Sequence, residues 1–167
     1  MITDLDRADR SGARAPEDPV AFVAEAQRMT NERDVDAVMT VYGPDPVLEL
    51  VTEGAVERHA GAPEIRSAWS MLLGVFERRG VLVEKTVIAI DDGVIVNGWK
   101  SVGAGPAMRG LEVWAFDDGA RVVRHLAHTF IDVKPAASWH AQARVLLSAP
   151  RLALALGSAR RGAERKS

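Results

Sequence analysis

Apolar positions change period along this chain. From about residue 18 they recur at helical spacing, first Val20, Val23 and Ala24, then Val35, Val38, Met39 and Tyr42. Asp18-Pro19 and Asp34 are the caps of these two predicted helices, and Gly43-Pro44 ends the second. Val47 to Val51 reads as a strand, broken by Thr52-Glu53-Gly54. Gly61-Ala62-Pro63-Glu64 opens a third helix. Its stripe is Ile65, Trp69, Leu72, Leu73 and Phe76, and Arg78-Arg79-Gly80 closes it. From Val81 onward the period drops to 2, which predicts strands at about 81–90, 93–102, 107–117 and 120–133. Asp92-Gly93 and Asp118-Gly119 are tight-turn signals, because Asp and Gly tolerate positive φ. Gly103-Ala104-Gly105-Pro106 is a longer connection that opens no helix, so it is not a phosphate loop.

Helices followed by a meander predict an α+β architecture, with three N-terminal helices packed on a curved antiparallel sheet and a pocket between the layers. Residues 1–17 alternate Asp and Arg with Ser, Gly and Pro and offer little to bury, which predicts a disordered arm. The domain proper spans 18–134. Residues 135–167 form an extension with apolar Trp139, Val145 and Leu146 and a basic end, read as a helix and tail.

The last hairpin yields a register. With Asp118-Gly119 as a two-residue turn, Asp117 faces Ala120, Trp114 lies opposite Val123, and Glu112 lies opposite His125. Directly paired residues project to one face, so Glu112 and His125 are expected to meet, with Ala127 and Thr129 further along that face. By parity Asn97 and Trp99 share a face on their own strand, and His128 points away from His125. His59 reads as an exposed loop residue and His140 as part of the tail.

Composition narrows the chemistry. The chain has 167 residues, 47% of them apolar, and a formal charge of −2. No basic field is available for nucleic acid, and no apolar run reaches the roughly 20 residues of a membrane span. Cysteine is absent, which rules out thiolate chemistry and, with no signal-like N-terminus, suggests a cytoplasmic protein. His spacing suits no metal site, and no nucleophile-elbow motif occurs.

Three segments carry a resemblance: Asp34 to Tyr42 running into Asp45, His59 to Ile65, and Gly110 to Gly119 continuing to Asp132. They resemble the SnoaL-like branch of the nuclear-transport-factor-2-like superfamily over roughly residues 18–134. The resemblance implies a cone-shaped α+β barrel whose interior holds the face bearing Glu112 and His125. It implies that Leu48, Leu50, Asn97, Trp99, Trp114, Ala127 and Thr129 line the interior, with the Tyr42 hydroxyl at its edge. It also implies no cofactor, and a homodimer formed through the outer sheet face (Leu126, Phe130). Ketosteroid isomerases of this superfamily place a base where this chain has Leu50 and an acid where it has Glu112. Limonene-type epoxide hydrolases need an Asp-Arg-Asp set, matched here by Asn97, Trp99 and Ala127. Neither standard mechanism is therefore expected. The expected activity is cofactor-independent acid–base chemistry on a small apolar carbonyl or polyketide-like compound, of cyclase, isomerase or dehydratase type. Glu112 and His125 would move the protons. The alternative is a non-catalytic ligand-binding or dimerising module of the same fold.

Overall fold

The computed structural model describes residues 12–131 and 147. The chain divides into two compact units, Met1–Ile131 and Asp132–Ser167. The expectations for residues 1–11, and for the extension with its Trp139 and His140, lie outside the described residues.

The order is α1 (Pro19–Glu32), α2 (Val35–Thr40), β1 (Tyr42–Thr52), β2 (Ala55–Ala60), α3 (Ala62–Arg79), β3 (Val81–Asp91), β4 (Val94–Gly103), β5 (Met108–Phe116) and β6 (Val122–Ile131). One six-stranded sheet runs β2-β1-β6-β5-β4-β3, and the helices pack on one of its faces. The architecture is α+β as the pattern implied, with one correction: β1 and β6 run parallel, so the sheet is mixed rather than antiparallel.

Local chemistry accounts for the helix ends. Asp18 Oδ1 accepts from the Ala21 N–H at 2.8 Å, and Asp34 Oδ1 accepts from Ala37 at 2.9 Å. Each such cap stabilises its helix by about 1 kcal/mol. α1 ends at Arg33 in the left-handed conformation, whose guanidinium reaches the carbonyl of Val81. Two further α1 side chains occupy the free edge of β3. Asn31 pairs with both backbone groups of Val83, at 2.9 and 2.8 Å, and Gln27 Oε1 accepts the Lys85 N–H at 2.7 Å. These contacts satisfy edge groups that would otherwise template pairing with another chain.

Three local differences from the sequence pattern matter. Tyr42 begins β1 instead of ending α2. Gly43 and Pro44 lie inside that strand, where an irregularity between Tyr42 and Val47, with Asp45 at φ 47°, lets a residue without an N–H sit in the ladder. Glu53-Gly54 is a tight hairpin with φ of 49° and 87°, and it leads into a strand the pattern missed. β2 is exposed along most of its length and so shows no apolar alternation. His59 lies in β2 beside Leu48 and is half-buried, not in an exposed loop.

The third difference is the β5–β6 register. The turn is three residues, Asp118-Gly119-Ala120, with Ala120 at φ 57° and the Asp117 N–H donating to Arg121 O at 2.9 Å. This is the longer hairpin loop that ends in a left-handed residue. A bulge between Ala115 and Phe116 adds a second step. Glu112 therefore faces Ala127, and Trp114 faces His125. The shift is two residues, so every side chain keeps its expected face. Leu126, His128 and Phe130 alternate with the buried His125 and Ala127 and lie on the opposite face, where Phe130 is exposed. Residues of the expected disordered arm also take part: the Arg14 N–H donates to Asp117 O at 3.0 Å. Among the described residues no helix is long and apolar enough to cross a membrane.

The core lies between helices and sheet. Val23 and Met29 of α1, Val38 of α2, and Ile65, Trp69, Leu73 and Phe76 of α3 pack on Leu48, Val81, Ile95, Trp114, Phe116 and Val122. Gly110 is a close approach within this layer. A Cβ there would stand 1.9 Å from the His128 carbonyl oxygen and 2.5 Å from Trp99 Nε1. Gly74, in mid-α3, would meet only the tip of Arg78 at 3.4 Å. Gly110→Ala should therefore destabilise the fold by about 2 kcal/mol or more. Gly74→Ala should stabilise it by roughly 0.5–1 kcal/mol. Urea unfolding of the two variants checks the contrast, and equal midpoints would contradict this packing.

Candidate functional site

The inner sheet face is organised in levels set by strand pairing. One level runs Lys85, Trp99, Gly110, Thr129, Thr52 across β3, β4, β5, β6 and β1. The next is Val87, Asn97, Glu112, Ala127, Leu50, and the third contains Ile95, Trp114, His125 and Leu48. Lys85, Trp99, Thr129 and Thr52 of the first level and Glu112, Ala127 and Leu50 of the second, with Val83, Met108 and Ile131 beyond them, border a cavity of about 200 Å³. Helix α3 covers it with Trp69, Leu72, Val75 and Phe76, and α1 contributes Thr30.

Of the residues expected at the site, Leu50, Trp99, Glu112, Ala127 and Thr129 line this cavity. Leu48, Tyr42, Asn97, Trp114 and His125 do not. They are buried behind it. The His125 ring stacks on Trp114 with centroids 3.6 Å apart and planes 14° apart. Trp69 Nε1–H donates to the Tyr42 hydroxyl at 3.0 Å, and that hydroxyl lies 2.9 Å from His125 Nδ1. Indole is a donor only, so the arrangement that satisfies all three groups has Tyr42 donating its own proton to Nδ1. The remaining proton of a neutral His125 then sits on Nε2, 4.0 Å from Glu112 Oε1 and beyond hydrogen-bond reach. The expected direct pairing of Glu112 with His125 is thus replaced by a diagonal approach, a consequence of the longer turn and the bulge.

Glu112 has a different partner. Lys85 Nζ donates to both of its oxygens, at 2.9 and 2.8 Å, and the two side chains are 3% and 7% exposed. Asn97 Nδ2 adds a third hydrogen bond, at 2.8 Å to Oε2. Its Oδ1 accepts from Trp114 Nε1 at 2.7 Å, which fixes the amide orientation. The Lys85 ammonium also lies 5.6 Å from the Trp114 ring centroid, over its face.

These contacts decide the charge states. Burial alone would raise the Glu112 pKa, but the Lys85 ammonium and the hydrogen bonds outweigh it and hold the carboxyl below its ordinary 4.5. Burial pushes His125 down to about 3 against the opposing pull of Glu112, so the imidazole is neutral at physiological pH. Burial likewise raises the Tyr42 hydroxyl, which stays protonated. The cavity therefore holds a balanced ion pair in apolar walls, with a neutral aromatic and imidazole stack beneath it.

Lys85 was not singled out from the sequence, although a signal was present. Val81, Val83, Lys85 and Val87 occupy the inward parity of one strand, and a lone Lys in such a series calls for a buried anion. Trp69 was read only as part of a helical stripe. Among the described residues, no three His, Asp or Glu side chains come together as metal ligands would.

No protein-family profile and no curated protein matches the sequence. Solved structures match by fold. A SnoaL-like protein of unknown function from Burkholderia thailandensis aligns with a TM-score of 0.53 at 22% identity, covering 65% of this chain and 92% of its own. A nuclear-transport-factor-2-like protein of unknown function from Mesorhizobium loti aligns at 0.53 and 19%, covering 70% and 98%. A candidate isomerase from Bacillus subtilis aligns at 0.50 and 15%, covering 66% and 86%. Likeness at such identities is a likeness of fold, and a fold hosts many chemistries. The chain has an α+β fold like that of these SnoaL-like and nuclear-transport-factor-2-like structures.

Proposed function

We propose that this chain is a cofactor-independent acid–base enzyme acting on a small, largely apolar carbonyl compound. The observation that carries this reading is the Lys85–Glu112 pair in the wall of an otherwise apolar cavity. An ammonium has three N–H donors, and two serve Glu112, which leaves one for a ligand oxygen. A carbonyl oxygen placed there brings its neighbouring carbon beside the Glu112 carboxylate. Glu112 takes the proton from that carbon, the electron pair moves into the carbonyl, and the resulting enolate oxygen is held by Lys85. Where the compound carries a β,γ double bond, return of the proton from Glu112 to the γ-carbon completes an isomerisation; where it carries a β-hydroxyl, that group takes the proton back from Glu112 and departs as water, completing a dehydration.

His125 has no part in this step. It lies one level deeper, is fully buried, and is neutral. Its contribution is to hold Tyr42 and Trp114 and so to support Asn97 and the floor under Glu112.

A second reading has its own support. Glu112 already accepts three hydrogen bonds and is held as a carboxylate, which makes it a weak base. That favours a binder that uses the same N–H without turnover.

Exchange of carbon-bound hydrogen with deuterated water, followed by NMR on acetophenone and related ketones, separates the two. The enzymatic reading expects accelerated exchange that drops about 10²-fold or more in Glu112→Gln. The Lys85→Met/Glu112→Leu double variant removes both charges together, so it folds and is inactive. Binding without exchange in the native chain would support the binder instead.

The buried imidazole makes a separate expectation. Its folded pKa of about 3 lies below the unfolded value near 6.5, so between those pH values the unfolded chain binds the proton and the folded chain does not. Stability should fall as pH drops from about 6.5 toward 3, with a slope of up to about 1.4 kcal/mol per pH unit. His125→Gln should lose that component in urea melts taken across this range. His125 ring resonances that titrate near 6.5 would contradict the burial described here.

A further inference from the structure

The charge balance, size and polar points of the cavity together restrict what it can hold. We propose that its ligand is a neutral ketone or ester about one ring in size, carrying a second oxygen at the end remote from Lys85. This rests on the carbonyl-binding half of the reading above.

Neutrality follows from the ion pair. Among the described residues, Lys85 and Glu112 are the only charged ones lining the cavity, and they neutralise one another. An anionic ligand would set two carboxylates against one ammonium inside apolar walls, leaving a buried negative charge uncompensated. A cationic ligand would compete with Lys85 for Glu112 in the same way. A neutral carbonyl oxygen accepts the remaining Lys85 N–H and disturbs neither partner.

Size follows from the volume of about 200 Å³. An apolar cavity of about 150 Å³ holds one benzene molecule. The space here suits a single ring with short substituents and excludes a fused four-ring skeleton.

The second oxygen follows from the level that contains Lys85. At its other end, Thr52 and Thr129 are directly paired across β1 and β6, and both line the cavity. Each hydroxyl can donate and accept. Between these poles lie Trp99 and Gly110, and the missing side chain at Gly110 leaves room for the Trp99 indole. The indole offers a flat apolar wall for the ring. The cavity thus has a polar point at each end of an apolar middle.

Isothermal titration of the full chain with four probes tests this. The probes are acetophenone, benzoate (of the same shape but charged), para-hydroxymethylacetophenone, and progesterone as a four-ring ketone. Acetophenone should bind at least about tenfold more tightly than benzoate, the effect of one unpaired buried charge at its smallest. The para-hydroxymethyl compound should gain a further ~3- to 10-fold, one added neutral hydrogen bond. Thr129→Val, a near-isosteric change, should erase that gain. Progesterone should not bind. Benzoate binding as tightly as acetophenone, no gain from the second oxygen, a gain that survives in Thr129→Val/Thr52→Val, binding of progesterone, or binding of no probe would each overturn the assignment. The expected binding order without hydrogen exchange would refute only the enzymatic reading. Exchange accompanied by a preference for benzoate would refute only the ligand class.

Discussion

A buried lysine and a buried glutamate that satisfy one another constrain most of this molecule's inner face. Either charge alone in that setting would cost several kcal/mol, so the fold must bring β3 and β5 into a register that lets Lys85 straddle both carboxylate oxygens. Asn97, on the strand between them, completes the set by bonding Glu112 on one side and the Trp114 indole on the other. The Lys85 backbone is itself fixed from α1 through Gln27. Helix, edge strand, central strands and cavity wall are thus coupled through one ion pair. Replacing any member alters the charge or hydrogen-bond balance of the rest.

The second organising feature is the layering of the face. Below the ion pair, Trp114, His125, Tyr42 and Trp69 form a buried aromatic and imidazole stack with the hydroxyl as its hinge. Above it, the wall turns apolar, with Thr52 and Thr129 to one side. The stack is neutral. The ion pair is the charged floor on which a ligand oxygen can rest, and the cavity above sets the shape. Chemistry at such a site would come from where the one unused N–H and the carboxylate stand relative to each other, not from a free acid or a free base.

Periodicity alone carried most of the architecture. The Val81–Ile131 alternation marked four strands, and the Asp18 and Asp34 caps marked both helix starts. β2 escaped because an edge strand exposed along most of its length has no apolar alternation to read, and its only signal was Glu53-Gly54 as a turn. Within the site, Glu112 and its face were legible from parity. Its partner was not, because parity fixes a face but not a register. An Ala in the left-handed conformation at position 120 and a bulge at Ala115–Phe116 moved the pairing by two residues. That moved His125 one level away from the carboxylate and into the core. Lys85 became its counter-ion through β3–β4–β5 pairing, a long-range relation that no local spacing expresses, although its place among three inward valines marked it as unusual.

The ionisation state of Glu112 is the most direct test, since cavity charge, ligand class and mechanism all depend on it. Carbon-detected NMR of the side-chain carboxyl, followed through an acid titration of the native chain, reads that state without reference to any ligand. The account predicts a carboxylate with its midpoint below the ordinary 4.5. A midpoint raised toward neutrality would mean that Lys85 does not pair with Glu112 and that the cavity holds a protonated acid, which would contradict it.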